Sequence, residues 1–447
     1  MNLAKDLEEI FLTALERVDP YKMIVENISI RGNSLVIQEE GKIAEEDLGH
    51  YSRIIVLGIG KASAKMGMAM EDIFGDKISE GMVITKYGHG ENLSRIHVTE
   101  AAHPIPDKNS VGGAQILYQI ASEANENTLI INLVSGGGSA LFTLPQKGIS
   151  LEDIQSLTRI LLESGADIKE INCLRKHISQ VKGGHFARIS YPARMINIIL
   201  SDVVGDRLDT IASGITVPDD TTFAQAQSIL KKYRIEEKIP PSISDLISRG
   251  IAGSVADTPK QGDPVFSKVS NILLGNNLAA CRAARSHAQG LGYNPYILTS
   301  SLTGEAREIA RFFTALARDV DQEMCDFTKP ALLIAGGETT VTIRGTGKGG
   351  RNQEMVLAFL IDMLENYPSC ENIAFLSGGT DGNDGPTDAA GAYMTADLVY
   401  KVEDLGLSVQ EFLDNNDSYH LFEKTGNLLM TGPTNTNVCD IQLLAVV

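Results

Sequence analysis

The feature that most constrains the fold of this chain is a junction that recurs three times: an apolar run of strand length followed at once by a glycine-rich loop. It occurs in LVSGGGSA (133–140), LIAGGETT (333–340) and LSGGTDG (376–382). These runs are continuously apolar, which is typical of strands buried on both faces. The pattern therefore predicts the α/β class, with helices on both sides of each sheet, and ligand sites at the strand ends.

Further apolar runs alternate with helical patterns along most of the chain. The predicted strands are 54–57, 81–85, 129–134, 195–200, 271–274, 294–298, 331–334, 340–344, 372–376 and 441–446. The polar segment 254–266, which contains two prolines, predicts a linker. We therefore expect two three-layer α/β domains, 1–265 and 266–447, whose loop-bearing edges face one cleft.

Charge and composition exclude several kinds of partner. The 447 residues carry a net charge of −18, which argues against binding to nucleic acid or to an anionic membrane. No apolar run reaches the length of a membrane span. Five scattered cysteines without ligand spacing indicate reduced thiols, so we expect a cytoplasmic protein.

The stretch VLGIGKASAKM (56–66) places a cation where a helix is expected to begin. Gly58 and Gly60 form a tight turn after a strand, and Lys61 follows. A lysine at the positive end of a helix is unfavourable unless an anion is bound there. The stretch does not match a Walker A motif, and Ser63 replaces the third glycine of a dinucleotide fingerprint. The sequence therefore predicts an anion site at Lys61 and disfavours a nicotinamide cofactor.

A second cation repeats this arrangement. Arg351 follows the glycine-rich run GTGKGG (345–350) and directly precedes or begins a helical pattern. A guanidinium suits bidentate contact with carboxylate or phosphate. If both cations await an anion, replacing either should not destabilise the empty protein.

Two other segments are candidates for anion binding. In SGGGS the hydroxyls of Ser135 and Ser139 and the backbone of Gly136, Gly137 and Gly138 suit a phosphate or carboxylate cradle, the alternative being a plain turn. The segment 172–187 predicts one helix, with Arg175, Ser179 and Lys182 on a polar stripe. That stripe either faces an anion or complements the helix dipole.

Carboxylates follow two of the predicted strands. Asp202, Asp206 and Asp209 follow one strand, and Asp381 lies in the glycine-rich loop after another. Carboxylates at strand ends are typical Mg²⁺ ligands, and they are also typical turn residues. The spacing leaves both readings open.

Together, and in this order, seven motifs resemble the glycerate 2-kinase family with its C-terminal MOFRL domain. They are GIGKASAKM, HPIPD, LVSGGGSALF, LRKHISQVKGG, SDVVGDRLDTIASGITVPD, GGETTVTIRGTGKGGRNQE and GGTDGNDGPTDAAGA. The resemblance implies a Rossmann-like N-terminal domain, a MOFRL domain and an active site in the cleft between them. It implies ATP-dependent phosphorylation of D-glycerate to 2-phosphoglycerate with a divalent metal, Mg²⁺, and its important lysine and arginine fall on Lys61 and Arg351.

With this resemblance, we assign Lys61, Arg351 and Asp202 to catalysis and Asp206 and Asp381 to the metal. The residues assigned to substrate and phosphate are Gly58, Gly60, Ser135, Gly136, Gly137, Gly138, Ser139, Arg175, Lys182, Gly336, Gly337, Glu338 and Thr380. Two alternatives stay open, an oxidoreductase acting on hydroxypyruvate and a non-catalytic metabolite-binding protein. A homodimer is compatible with either reading.

Overall fold

The computed structural model describes residues 2–39, 41–367 and 370–447. Its helices are α1 (Leu3–Arg17), α2 (Pro20–Asn27), α3 (Ser63–Phe74), α4 (Lys108–Ser122), α5 (Gly138–Leu141), α6 (Leu151–Glu163), α7 (Ile168–His177), α8 (His185–Ser190), α9 (Phe223–Tyr233), α10 (Pro241–Ile251), α11 (Asn277–Gly290), α12 (Ala306–Asp321), α13 (Arg351–Asn366), α14 (Ala396–Asp404), α15 (Val409–Asp414) and α16 (Ser418–Thr425). None of these described helices combines the length and the apolar character needed to cross a membrane.

The strands confirm the α/β class. They are β1 (Ile28–Arg31), β2 (Ser34–Glu39), β3 (Lys42–Asp47), β4 (Arg53–Ile59), β5 (Glu80–Lys86), β6 (Ile96–Ala101), β7 (Thr128–Val134), β8 (Arg194–Leu200), β9 (Val269–Gly275), β10 (Asn294–Leu302), β11 (Ala331–Gly337), β12 (Ile373–Gly379), β13 (Gly391–Met394), β14 (Leu428–Leu429) and β15 (Asp440–Val446).

The chain forms two compact units, named here unit A (Pro20–Leu274) and unit B (Met1–Asp19 with Gly275–Val447). This division differs from the sequence-based one in two respects. Helix α1 belongs to unit B, because Phe11 packs against Gly378 of β12, where an added Cβ would lie 2.8 Å from the ring. The expected linker, 254–266, lies wholly in unit A, where Thr258 is buried and donates a hydrogen bond of 2.9 Å to Asp219.

Unit A is built on a sheet in the order β6-β5-β4-β7-β8-β9, and the register pairs from β6 to β8 are all parallel. Side chains alternate across the sheet, so neighbouring residues of β5 face opposite helices. Val83 lies under Gly67 of α3, whereas Ile84 lies under Gly113 of α4. The sheet is therefore covered on both faces, as its continuous apolar runs predict. A separate apolar cluster joins α6, α7, α9 and α10.

Unit B has a mixed sheet in the order β10-β11-β15-β12-β13-β14. Strands β10 and β11 are parallel, and β15 lies antiparallel between β11 and β12. Phe313 of α12 and Phe359 of α13 both pack against Phe375 of β12, at ring distances of 5.0 and 4.5 Å. These aromatic contacts cover one face of the sheet, and α1 covers part of the other.

Two secondary-structure predictions are wrong. Residues 341–344 form no strand, because the backbone N–H groups of Thr342 and Arg344 donate to the side chains of Glu305 and Asn416, both at 2.7 Å, and Ile343 is 80% exposed. β-branched residues alone do not make a strand without a neighbour to pair with.

The helix predicted over 172–187 is also interrupted. Helix α7 ends at His177, and α8 begins at His185 after a turn in which Gly183 and Gly184 have positive φ. Leu174, Ile178 and Val181 are buried as expected, although only the first of them is helical. The apolar spacing therefore predicted which residues are buried, but not the break.

Candidate active site

The loop after β4 carries Lys61 to the entrance of helix α3. Gly60 has φ +120°, and a side chain there would collide with the carbonyl of Ser135, so glycine is required. The hydroxyl of Ser63 lies 2.8 Å from the carbonyl oxygen of Gly60 and 3.0 Å from that of Ile84. Ser63, which stands in place of the third glycine, therefore anchors the turn to β5.

The glycine-rich loop after β7 is joined to this turn. The N–H of Lys61 donates to the carbonyl of Gly136 at 2.8 Å, and the N–H of Ala62 donates to the hydroxyl of Ser135 at 3.0 Å. Ser135 thus fixes one loop against the other. Gly58 leaves room for its neighbour, since a Cβ there would lie 2.8 Å from Val83.

The same glycine-rich loop exposes hydrogen-bond donors. Gly137 has φ +82°, and the N–H of Gly138 turns back to Ser135 at 3.3 Å. The backbone N–H groups of Gly136, Gly137 and Ser139 have no acceptor within the described part of the chain. The hydroxyl of Ser139 lies 2.8 Å from that of Ser213. Three unengaged N–H groups in one short loop can bind an oxyanion.

Lys61 lies among titratable groups at this loop. Its ammonium has no hydrogen bond or ion pair with any residue that the structure describes. Burial raises the pKa of Asp202, and the nearby Lys61 lowers it in part. Burial, Lys61 and Lys86 lower the pKa of His103 to about 4, so this imidazole is neutral at pH 7. The site therefore pairs a charged lysine with a carboxylate in partly buried surroundings.

A cavity of about 520 Å³ opens beside these residues in unit A. Gly137, Ser139 and Asp202 line it near Lys61, whose Cγ would lie 3.3 Å from a Cβ added to Gly137. Helices α6 and α7 supply apolar side chains on the other side. The cavity is large enough for a substrate of low molecular mass.

The three residues of the predicted basic stripe line this cavity even though only one of them is helical. They are Arg175, Ser179 and Lys182. The ammonium of Lys182 donates to the carbonyls of Ser139 and Phe142 at 2.8 and 2.6 Å, and burial lowers its pKa to about 7. Lys182 therefore stabilises the loop, while Arg175 has no acceptor among the described residues.

The carboxylates after β8 have different surroundings. Asp206 lies in the following turn with φ 52°, and Asp209 forms a bidentate pair with Arg207, at 3.0 and 2.7 Å. Across the described residues, no group of three or more His, Cys, Asp or Glu side chains is arranged to hold a metal ion. The metal-binding roles of Asp206 and Asp381 stay predictions.

In unit B, Arg351 begins helix α13 and already has anionic partners. Its guanidinium contacts both carboxylate oxygens of Asp440, at 2.5 and 2.9 Å, and lies 3.1 Å from Glu338. Asp440 is fully buried, and burial raises its pKa although Arg351 opposes the shift. The carboxylate of Asp384 accepts the backbone N–H groups of Asn352 and Gln353, at 3.1 and 2.8 Å. The anions that this helix start requires are therefore supplied by the protein.

The glycine-rich loop before Arg351 has its backbone donors engaged. The N–H of Gly345 donates to Asn416 at 3.0 Å, that of Thr346 to Asn415 at 3.1 Å, and that of Lys348 to Asp417 at 2.9 Å. Three consecutive residues after α15 thus hold this loop, which leaves few donors for a ligand.

The remaining predicted site residues of unit B have structural contacts. A side chain at Gly336 would collide with Asn277, and one at Gly337, φ +149°, with the backbone of Leu302. The hydroxyl of Thr380 donates to the carbonyl of Cys439 at 2.6 Å and accepts the N–H of Val438 at 2.8 Å. Asp381 accepts the N–H of Asn383 at 3.1 Å, as a turn residue does. Packing accounts for these residue types, and their ligand-binding roles stay predictions.

Comparison with known proteins supplies the family. Residues 6–248 match the family model described as a domain of unknown function, DUF4147, and residues 331–440 match the MOFRL family. The chain is 42% identical to the glycerate 2-kinase of Pyrococcus horikoshii, with 99% of this chain and 98% of that protein covered. The chain belongs to the glycerate kinase family.

Other members of the glycerate kinase family agree in sequence and in fold. The D-glycerate 2-kinase of Thermotoga maritima is 44% identical over 88% of this chain and 90% of its own length. The crystal structure of a glycerate kinase from Thermotoga maritima superposes with a TM-score of 0.88 at 40% identity, and covers 100% of this chain and 99% of that one. A relative from Agrobacterium vitis, 36% identical over 98% of this chain and 94% of its own length, is named a putative hydroxypyruvate reductase.

Sequence reasoning missed residues that complete both sites. His103 lies in the HPIPD motif, and a Cβ added to Gly137 would lie 3.0 Å from its ring, yet a lone histidine gave no signal of this contact. Asp440 was not singled out, because it begins an apolar strand far along the chain from Arg351. Its charge at the start of a mainly apolar run was the one available indication.

Proposed function

We propose that this member of the glycerate kinase family transfers the γ-phosphoryl group of ATP to the C2 hydroxyl of D-glycerate. The observation that carries the proposal is the Lys61 site: an ammonium with no partner among the described residues, next to three backbone N–H groups that have no acceptor there, and to Asp202. The names of the Pyrococcus horikoshii and Thermotoga maritima relatives support the choice of substrate.

The Lys61 site suits phosphoryl transfer. This reaction depends mainly on positioning and on neutralising the charge of the transferred group. The ammonium of Lys61 and the N–H groups of Gly136, Gly137 and Ser139 supply positive charge and donors at one place. We therefore assign them to the phosphate oxygens of ATP.

Asp202 suits the acceptor hydroxyl. In the transfer, the C2 oxygen forms a bond to the γ-phosphorus, the bond from that phosphorus to the bridging oxygen breaks, and ADP leaves. Asp202 takes the proton of the C2 hydroxyl, because Lys61 favours its ionised form while burial makes it a stronger base than an exposed aspartate.

The donor set near Lys61 also fits Mg²⁺. This ion usually retains several waters and is held by one or two carboxylates together with substrate phosphates, so it does not require a cluster of three protein carboxylates. Asp206 would hold it in unit A, as the sequence predicts, and the metal-binding role of Asp381 in unit B stays a separate prediction. Bound with ATP, the ion would neutralise phosphate charge.

The five scattered cysteines support a cytoplasmic location for this enzyme.

The oxidoreductase alternative rests on the name of the Agrobacterium vitis relative. In a dinucleotide-binding fold, an acidic residue at the end of the second strand binds the ribose. Here β5, which follows the first strand and helix of the parallel sheet, ends in Lys86. We therefore favour the kinase.

A coupled assay tests the proposal. The protein is incubated with ATP, Mg²⁺ and D-glycerate, and the product is given to enolase, which uses 2-phosphoglycerate directly. We expect ATP consumption that depends on D-glycerate and a product that enolase consumes. Oxidation of NADH with hydroxypyruvate, or ³¹P NMR showing only 3-phosphoglycerate, would contradict the proposal.

A further inference from the structure

Arg175 of unit A is a cation with no anionic partner among the residues that the structure describes. It lies in the last turn of helix α7, where a positive charge complements the helix dipole, and its side chain lines the 520 Å³ cavity. It is partly buried, and no carboxylate, carbonyl or hydroxyl of the described chain accepts a hydrogen bond from its guanidinium. Because arginine cannot lose its charge in a protein, its partial burial has a desolvation cost that an anion bound in the cavity would offset.

The other cations of this cavity are accounted for. The ammonium of Lys182 is held by two backbone carbonyls, and Arg159 is exposed at the rim. Arg175 is thus the cation lining this cavity that is both partly buried and without an acceptor in the described ranges. Asp202, the proposed base, lines the same cavity.

We propose that Arg175 binds the carboxylate of D-glycerate and so makes the enzyme specific for 2-hydroxy acids; this inference rests on the proposed function. The carboxylate and the reacting hydroxyl of such an acid lie on neighbouring carbons. A site that recognises both the carboxylate and the hydroxyl needs a planar bidentate donor and a base in one cavity. Arg175 and Asp202 line one cavity and supply these two groups. The phosphates of ATP have other donors, at Lys61 and in the Gly136–Ser139 loop, part of which lines the same cavity.

The test uses Arg175→Met, which keeps the length of the apolar stem and removes the charge. We expect KM for D-glycerate to rise about 100-fold, because two charge-assisted hydrogen bonds are lost, and KM for ATP to stay unchanged. The neutral analogue D-glyceramide sharpens the result. Wild-type enzyme should prefer glycerate strongly over the amide, and Arg175→Met should lose that preference.

Two further variants separate binding from structure. Arg159→Met removes a charge from the exposed rim of the same cavity and should change neither KM. Arg175→Lys restores the charge without the bidentate fork, so it should recover only part of the affinity. Melting temperature measured without substrate should fall little in Arg175→Met, since no hydrogen bond or ion pair to the described residues is removed and methionine keeps the apolar stem.

The measured KM values distinguish a role of Arg175 in glycerate binding from a role in ATP binding. A rise in KM for ATP alone assigns Arg175 to the nucleotide and overturns the inference, as does no change in either KM. If the wild-type protein does not phosphorylate D-glycerate, the proposed function fails, and the carboxylate site is judged by thermal shift instead. D-glycerate, but not glycerol, should then raise the melting temperature of wild type and not of Arg175→Met, and the absence of such a shift overturns the inference.

Discussion

Lys61 in unit A and Arg351 in unit B follow similar sequence motifs, but their electrostatic surroundings are very different. Each follows a glycine-rich turn at the start of a helix. Lys61 has no ion pair in the described structure, whereas Arg351 is fixed by Asp440 and Glu338. The same motif thus produces a cation open to a ligand in one unit and a cation neutralised by the protein in the other.

The two glycine-rich loops beside these cations differ in the same way. The loop at Gly136–Ser139 has three backbone N–H groups with no acceptor among the described residues, while the loop at 345–350 donates to Asn415, Asn416 and Asp417. Glycine gives the backbone the freedom to form an anion-binding loop. Such a loop can bind an anion only where its N–H groups are not already hydrogen-bonded to the protein. The partners of a loop, which lie far away in sequence, therefore determine its function.

The largest effect is expected for Arg351→Ala. The expectation that this cation can be removed without loss of stability no longer holds, because its removal leaves the fully buried Asp440 unpaired. We expect the free energy of unfolding to fall by about 3 kcal/mol, together with a loss of turnover. Denaturant titration and steady-state kinetics measure both.

Two variants calibrate this result. Arg207→Ala breaks the half-exposed pair with Asp209 and should leave the denaturation midpoint close to that of wild type. Adding Asp440→Asn to Arg351→Ala should restore part of the stability. If Arg351→Ala unfolds at the wild-type denaturant concentration, the contrast between the two cations is wrong.

Lys61→Ala should show the opposite combination. Turnover should fall about 100-fold or more, corresponding to roughly 3 kcal/mol of transition-state stabilisation, while the melting temperature stays near that of wild type. The control is Lys231→Ala, an exposed lysine of α9. Near-normal turnover in Lys61→Ala, with normal folding, would show that the open cation is not used.

The smallest effect concerns pH. With Asp202 as the proposed base, kcat/KM should rise with pH through its raised pKa. Lys61 lowers that pKa in part, so in Lys61→Ala the acid limb of the residual activity should move to higher pH. Lys61→Arg should leave the limb in place. A limb that persists in Asp202→Asn would assign the titration to another group.

The raised pKa of Asp202 also has a consequence for stability. A carboxyl group with a higher pKa in the folded state opposes folding above its unfolded pKa, and this opposition is relieved as the pH falls through the folded value. Asp202→Asn should therefore be at least as stable as wild type at neutral pH, and the difference should shrink in acid. Melting curves across pH provide the measurement.

The sequence was informative wherever the deciding interaction is local. Continuous apolar runs predicted the strands of both sheets, and the helix-dipole argument selected Lys61. It failed where a distant partner decides. The sequence near Arg351 does not indicate that its partner is Asp440, 89 residues away. The sequence of residues 340–344 does not indicate that the N–H of Arg344 donates to the side chain of Asn416. A sequence indicates which groups can bind an anion, but it does not indicate whether other residues of the protein already bind those groups.

Helix α1 gives the chain an order of assembly. It is made before unit A, yet its partner surface, including β12 and α11, is made after all of unit A. On the ribosome, Leu7, Ile10 and Phe11 must remain uncovered while about 250 residues of unit A emerge, so this helix is a natural client for chaperones. A fragment that begins at residue 275 would lack it and would expose the apolar face of β12. Such a fragment should aggregate unless the helix is added back as a separate peptide.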